Sequence, residues 1–429
     1  MNVYSKRRGH HLVVADKGLA SRGRFARLVA RGETAFFHKL IDRIDAGLAS
    51  GAIAGRLPDG STRFVGGREP GPFAEIEIHD WAMFVRLARS GSVGLYKAWE
   101  AGEWTSADPV PLFDLFMRNA KTMGDVARAR GIWKVGKRLL HALRANNRRQ
   151  ARRNIEFHYD LGNDFYAAWL DDNMVYSSAI FAEPYDDREP LEAAQLRKID
   201  HLLDRLDLRG DKSLLEIGCG WGGLAHRALA RHAVDYRGIT LSREQAAWAQ
   251  DWLARDGLGK RAQIDLVDYR DVTGQYDAIA SVEMVEAVGE KYWPAYLDAI
   301  ARLLKPGGRA AIQYIAIDDA LFPAYSSSAD FIQTYIFPGG MLLSESRFRA
   351  LAEARGLRWT DQVNFGTDYA ETLKRWRARF DLAVEAATLP EGFDEKFVRL
   401  WRYYLMYCEG GFRGGGIHVA QVTLVEEGE

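Results

Sequence analysis

The sequence predicts an α/β protein built on a parallel, doubly wound sheet, with a smaller α/β domain in front of it. Three observations carry that prediction. Residues 201–315 alternate apolar runs of strand length with amphipathic runs of helix length, the order a parallel sheet needs for its crossovers. One junction, 214–225 (LLEIGCGWGGLA), passes from buried-strand composition through Gly218, Gly220, Gly222 and Gly223 into a helical run. The chain has 429 residues, 47% apolar and 27% charged, which is globular composition with length for two domains.

The elements follow in order. Phe36, Phe37, Leu40, Ile41, Ile44 and Leu48 give 33–48 a helical period. Asp59-Gly60 between short extended runs reads as a hairpin, and PFAEIEIHD alternates as a further strand. A helix over 80–90 and a Trp- and Phe-rich run complete a small α/β domain, 1–120. Residues 121–155 are a basic helical linker, with eight Lys/Arg and no Asp or Glu between Lys134 and Arg153. In the second domain, 156–429, strands are expected at 213–217, 236–241, 262–267, 277–282 and 309–315. Helices are expected up to 208 and over 223–231, 243–256 and 292–304. KPGG at 305–308 reads as a helix stop, 316–345 as an insertion, and 370–387 as a long helix.

The glycine turn brings backbone N–H groups against a nucleotide-like ligand. Gly218-x-Gly220-x-x-Gly223 also satisfies the dinucleotide pattern, so the turn alone admits NAD. Two features favour S-adenosylmethionine. Glu216 sits in the strand two residues before the first glycine, where a carboxylate can organise the loop and a cationic ligand end. The next strand ends in GITLSREQ, which offers Thr240, Ser242 and Gln245 instead of the acidic residue that meets a ribose diol in NAD proteins.

Charge is unevenly placed. Residues 1–154 carry 28 Lys/Arg against 14 Asp/Glu, and the remainder carries the opposite excess. The basic half points to an anionic partner, either a membrane surface or nucleic acid. Lys137, Arg138, Arg144, Arg148, Arg149, Arg152 and Arg153, interspersed with Leu139, Leu140 and Leu143, are the candidate membrane contacts. No apolar run approaches a membrane span, no signal core follows the basic N-terminus, and two cysteines make no disulfide framework. The expected place is the cytoplasm, peripherally on the inner membrane face.

Several stretches together resemble the cyclopropane-fatty-acyl-phospholipid synthases, a branch of the class I S-adenosylmethionine-dependent methyltransferases. They are FHYDLGNDFYAAWLDDNMVYSSAIF, LLEIGCGWGGLA, GITLSREQ, DYRDV, SVEMVEAVGEKYW, SADFIQTYIFPGGMLLS, NFGTDYAETLKRWRARF and YYLMYCEGGFRGGGIHVAQV, in the family's order from 157 to 422. The resemblance implies a Rossmann-like sheet with lid insertions and, more weakly, a lipid-facing N-terminal domain. It implies methyl transfer to the cis double bond of an unsaturated phospholipid. A carbocation follows, bound bicarbonate deprotonates it, and a cyclopropane ring closes. Aromatic faces suit a carbocation, and Tyr159, Phe165, Tyr166, Tyr176, Phe181, Tyr335, Phe337, Tyr369 and Phe412 are candidates.

Carried over by position, the bicarbonate site is Glu286, Tyr369 and backbone groups at Ser178 and Ile315, with Gln313 able to hydrogen-bond the ion but not to titrate. For S-adenosylmethionine the resemblance points to Tyr176, Ser177, Gly218, Gly220, Thr240, Leu241 and Gln245. Tyr269 and Arg270 lie near the adenine, and Asp268 accepts from its amino group. Cys408 is a weak nucleophile candidate; direct transfer to an alkene needs none, and a cysteine on an apolar helix is more often packing. No metal is expected, and a homodimer is compatible with the resemblance.

Ser178, Ala287 and Gln313 depart from the commoner Cys, His and His. EMVEAVG and IQYI resemble a subgroup that includes plant-type synthases and makers of methyl-branched chains. A methyl-branched product is therefore the first alternative. A nucleic-acid methyltransferase is a second, opposed by the lack of an N/D-P-P-Y/F motif. A non-catalytic lipid-binding protein is a third, opposed by the presence of both Glu286 and Tyr369.

Overall fold

The computed structural model describes residues 8–16, 34–124, 161–327 and 329–426. The seven candidate membrane contacts from Lys137 to Arg153, and Tyr159, lie outside them. The described chain forms two compact units. The first takes residues before 125 plus 320–338 and 391–417; the second takes 161–319, 339–390 and the C-terminal stretch from 418.

In the first unit, helix α1 (Thr34–Gly47) buries Phe37, Ile41 and Ile44 along one stripe. Strands β1 (Ser50–Arg56) and β2 (Thr62–Gly66) pair antiparallel as the expected hairpin. Asp59 Oδ1 fixes the turn by accepting from Ser61 N at 3.0 Å and Ser61 Oγ at 2.6 Å. β3 (Glu69–Ile78) runs parallel to β1, and β4 (Trp104–Thr105) closes the order β2-β1-β3-β4. Helix α2 (Ala82–Ser90) is the one expected over 80–90, and α3 (Ser92–Glu100) and α4 (Val110–Arg118) complete the region that the sequence reading left as an aromatic run.

The helix Glu395–Arg413 belongs to this unit, not to the 156–429 domain drawn from sequence. The reason is close packing on α4. A Cβ at Gly410 would stand 2.4 Å from Phe113 Cβ, and one at Gly414 would stand 2.6 Å from Met117 Cβ. Two glycines one turn apart leave a smooth face on which the helices nearly touch.

The second unit is the doubly wound sheet. Its strands are β5 (Lys212–Ile217), β6 (Val234–Thr240), β7 (Ala262–Leu266), β8 (Tyr276–Val282), β9 (Leu304–Ile317), β10 (Leu343–Ser344), β11 (Leu357–Asn364) and β12 (Ile417–Glu426). The order is β11-β12-β9-β8-β5-β6-β7, with β10 on β9. β5 pairs parallel with β6 and β8, β6 with β7, and β8 with β9. Around it lie α5 (Leu191–Leu203), α6 (Gly223–Arg231), α7 (Arg243–Arg255), α8 (Trp293–Leu303), α9 (Glu345–Glu353) and α10 (Gly366–Glu385). Leu202, Leu214, Ala225, Leu229, Ala249 and Ala278 belong to one buried core between sheet and helices. KPGG is not a simple stop: it bulges within β9, where Tyr276 faces Leu304 and Ala278 already faces Arg309.

The chain winds from β5 outward through β6 and β7, then returns to β8 on the other side of β5. That reversal makes a crevice at the C-terminal ends of β5 and β8, where open α/β sheets hold ligands. Among the described residues no helix is long and apolar enough to cross a membrane.

Candidate active site

β5 ends in the glycine turn. Gly218, Gly220 and Gly222 have φ of +86°, +51° and +93°, which suit glycine. Gly218 N and Cys219 N both donate to Ile239 O at 3.0 Å, tying the turn to β6. Glu216 is buried and accepts from the Tyr236 hydroxyl; burial pushes its carboxyl up to about 7, against the pull of Tyr236 and Lys198. Beyond β6, Thr240 Oγ1 donates to Gln245 Oε1 at 2.9 Å and Ser242 caps α7. Leu241 beside them is half-buried. Asp268 caps the turn after β7 and holds Arg270 in a two-pronged pair at 2.8 and 2.6 Å, with the guanidinium over the Tyr269 ring.

Residues 171–181 have almost no regular structure, yet are laced in place by side chains. Asp171 accepts from Asn173 N and Val175 N at 3.1 and 3.0 Å. Gln195 of α5 donates to Ser177 O at 2.9 Å. From the first turns of α10, Thr372 accepts from Ala179 N at 3.1 Å and Asp368 from Phe181 N at 2.7 Å. These bonds satisfy backbone groups that no strand partner reaches.

At the end of β8 the backbone turns left-handed at Glu283, φ +48°, before a short 3₁₀ turn, Val285–Ala287. Together the two turns aim both carboxylates inward. Glu283 Oε1 accepts from Ser178 N at 2.8 Å and from Gln313 Nε2 at 2.7 Å, and Glu283 is also hydrogen-bonded by the Tyr369 side chain. Glu286 Oε1 accepts from Ile315 N, whereas its Oε2 is closed off from solvent with no hydrogen-bond partner. Burial first, then the neighbouring Glu283 charge, pushes Glu286 up to about 8. Burial raises Glu283 too, opposed by Lys198, Ser178 N, Gln313 and Tyr369. Three donors and a cation favour the ionised form of Glu283. One donor and a bare oxygen favour the protonated form of Glu286.

The Gln313 amide is oriented from behind. Gln421 Nε2 donates to Lys198 O at 3.2 Å and to Gln313 Oε1 at 3.0 Å, and His201 Nδ1 stands 2.8 Å from Gln421 Oε1. The Lys198 carbonyl can only accept, so Gln421 must present its amide hydrogens there, and Gln313 must then present its own to Glu283.

An aromatic wall runs from the glycine turn to the carboxylates. Trp221 meets Tyr166 at 4.9 Å between centroids, Tyr166 meets Tyr176 at 5.5 Å, Tyr176 meets Trp376 at 5.3 Å, and Trp376 meets Tyr369 at 5.9 Å. Such faces stabilise a sulfonium or a carbocation. Of the aromatic candidates, Tyr166, Tyr176 and Tyr369 are in this wall. Tyr335, Phe337 and Phe412 belong to the first unit.

The placement corrects the sequence reading on three points. Ser178 N, Gln313 and Tyr369 gather on Glu283, not on Glu286. The donors expected to hold bicarbonate, including Ile315 N, are thus taken by the chain's own carboxylates; the residues do not fit that ion. Cys408 lies in the first unit, on the helix Glu395–Arg413, and burial followed by the Asp330 charge pushes its thiol well up, away from the reactive thiolate. Glu283, Lys198, Gln421 and Trp376 were missed. Glu283 alone had a sequence signal, an acidic residue three positions before Glu286 at the end of a strand.

A largely parallel sheet with a glycine turn at its switch point, an aromatic wall and buried carboxylates is the site of a class I S-adenosylmethionine-dependent methyltransferase. The sequence profile of the family described as mycolic acid cyclopropane synthetase matches residues 146–422. The chain is 42% identical over 363 residues to tuberculostearic acid methyltransferase of Mycobacterium tuberculosis, covering 81% of this chain and 82% of that one. It is 34% identical to cyclopropane-fatty-acyl-phospholipid synthase of Escherichia coli, covering 82% and 87%. A solved mycolic acid cyclopropane synthase complexed with SAH and CTAB superposes with a TM-score of 0.58 at 30% identity, over 64% of this chain and 98% of its own. The chain belongs to the mycolic acid cyclopropane synthetase family. It is an S-adenosylmethionine-dependent methyltransferase that modifies lipid acyl chains.

Proposed function

We propose that the protein methylates the cis double bond of a phospholipid-bound acyl chain, with Glu283 as the base and a methyl-branched unsaturated chain as the product. The observation that carries this reading is the donor set on Glu283: Ser178 N, Gln313 Nε2 and Tyr369. S-adenosylmethionine supplies an electrophilic methyl group. The alkene's π pair forms the new carbon–carbon bond as the methyl–sulfur pair departs with sulfur, leaving a cation on the other alkene carbon. Glu283 takes a proton from an adjacent C–H, and that C–H pair becomes the new double bond. A positioned carboxylate suffices because a carbocation is a strong acid, and fixed donors hold the base on one carbon. Tyr166, Tyr176, Trp376 and Tyr369 face the developing charge with their rings.

The relative at 42% identity is named for methylation and the one at 34% for ring formation, over nearly equal shares of the chain. That difference favours the branched product. A phospholipid substrate is supported by the name of the second relative. The basic stretch 134–153 fits a peripheral role on anionic lipid.

The test is incubation of the protein with S-adenosylmethionine and vesicles of a cis-monounsaturated phospholipid, followed by mass spectrometry and gas chromatography of the fatty esters. The reading expects a gain of one CH₂ and an ester that still takes up hydrogen. A saturated ring product refutes the branch, and no mass gain refutes the activity.

A further inference from the structure

Lys198 of α5 is only 1% exposed, and no role for it follows from the steps above. A lysine is almost never buried unless its charge is compensated. Its Nζ donates to Ser177 Oγ at 2.6 Å. The next residue, Ser178, donates its N–H to Glu283 Oε1 at 2.8 Å. A single hydroxyl does not replace the hydration of an ammonium. The compensation comes from three carboxylates that act on it from different elements: Glu283 after β8, Asp171 at the start of the laced segment, and Glu216 in β5.

We propose that Lys198 is a positioning residue that keeps Glu283 ionised and, through Ser177, ties the base to the cofactor end of the crevice. The inference rests on the reading of Glu283 as base. Among the described residues, the groups that meet Glu283 are Lys198 from α5, Tyr369 from α10, Gln313 from β9, Ser178 N from the laced segment and Glu286 from the adjoining turn. Lys198 is the one cation among these described groups. Burial lowers Lys198 only to about 8, so it is mainly charged at neutral pH. Removing that charge leaves the burial of Glu283 opposed by neutral donors alone, and its proton affinity rises.

The experiment compares Lys198→Met and Lys198→Gln with wild type in the pH profile of kcat, alongside calorimetric binding of S-adenosylmethionine. Both variants should move the acid limb upward by about one pH unit or more. Each should lose about twofold or more at pH 7 and recover at higher pH, with cofactor Kd within about threefold. Gln keeps a hydrogen bond to Ser177 without the charge. A wild-type profile in Lys198→Gln would reduce the ammonium to a hydrogen-bond donor and overturn the proposal, as would unchanged profiles in both.

If the variants do not fold, infrared difference spectra of wild type minus Glu283→Gln at pH 7 decide. An ionised-carboxylate band supports the proposal, and a protonated-carboxyl band refutes it. Full turnover in Glu283→Gln sinks the base reading itself. Lost turnover there, with unchanged Lys198 profiles, sinks only this inference.

Discussion

Glu283 and Glu286 stand three positions apart, and the backbone gives them opposite tasks. The left-handed turn at Glu283 points one carboxylate at three donors, while the 3₁₀ turn leaves the other with one donor and a bare oxygen. Glu283→Gln should retain S-adenosylmethionine binding and lose turnover by about 10²-fold or more, as expected for a positioned base. Glu286 makes a different prediction. Its folded-state affinity for the proton is raised, so the stability it contributes is complete below the unfolded value near 4.5 and is lost as pH rises through about 8. Glu286→Gln should therefore gain on wild type in thermal melts as pH climbs through that window, by at most ~1.4 kcal/mol per pH unit. A difference independent of pH would show that Glu286 does not hold a proton. Sequence alone located the EMVE stretch and Tyr369. It did not say which carboxylate collects the donors, because that depends on one φ angle and on a glutamine thirty residues later.

The glycine turn, β8 and the first turn of α10 are the elements that build the crevice. A Cβ at Gly218 would stand 2.8 Å from Met284 Cγ, whereas one at Gly220 meets nothing within 4 Å. Gly218→Ala should lose about 1–2 kcal/mol of stability through strain and contact. Gly220→Ala should lose less stability, yet weaken cofactor binding more than it weakens the fold, if that face of the turn meets the cofactor backbone-first. Calorimetry paired with melts reads both quantities. Equal cofactor affinity in Gly220→Ala would take the turn out of the site.

The strands from β5 to β9 were legible because each apolar run is short and each crossover is amphipathic. α3 and α4 were not, because their aromatic stripes carry no clean period. The bulge at KPGG was hidden because proline and glycine serve a helix stop and a bulge equally.

At the scale of the whole molecule, the chain leaves and re-enters its first unit, returning 320–338 and 391–417 to it. That membership turns on Gly410 and Gly414 meeting a helix some three hundred residues earlier, which no local pattern reveals. The basic stretch, legible from charge alone, makes a bulk prediction. Replacing Arg148, Arg149, Arg152 and Arg153 by Gln should weaken sedimentation with anionic vesicles, at about 1 kcal/mol per charge, and leave cofactor binding intact. Equal sedimentation at moderate salt would return the stretch to a linker. The central claim, that a carboxylate of the chain itself removes the proton, is tested most directly by turnover in carefully degassed buffer with and without added bicarbonate, for wild type and Glu283→Gln. The account predicts full wild-type turnover without the ion and at least about a 10²-fold loss in the variant. Wild-type turnover that depends on bicarbonate, or a variant as active as wild type, would contradict it.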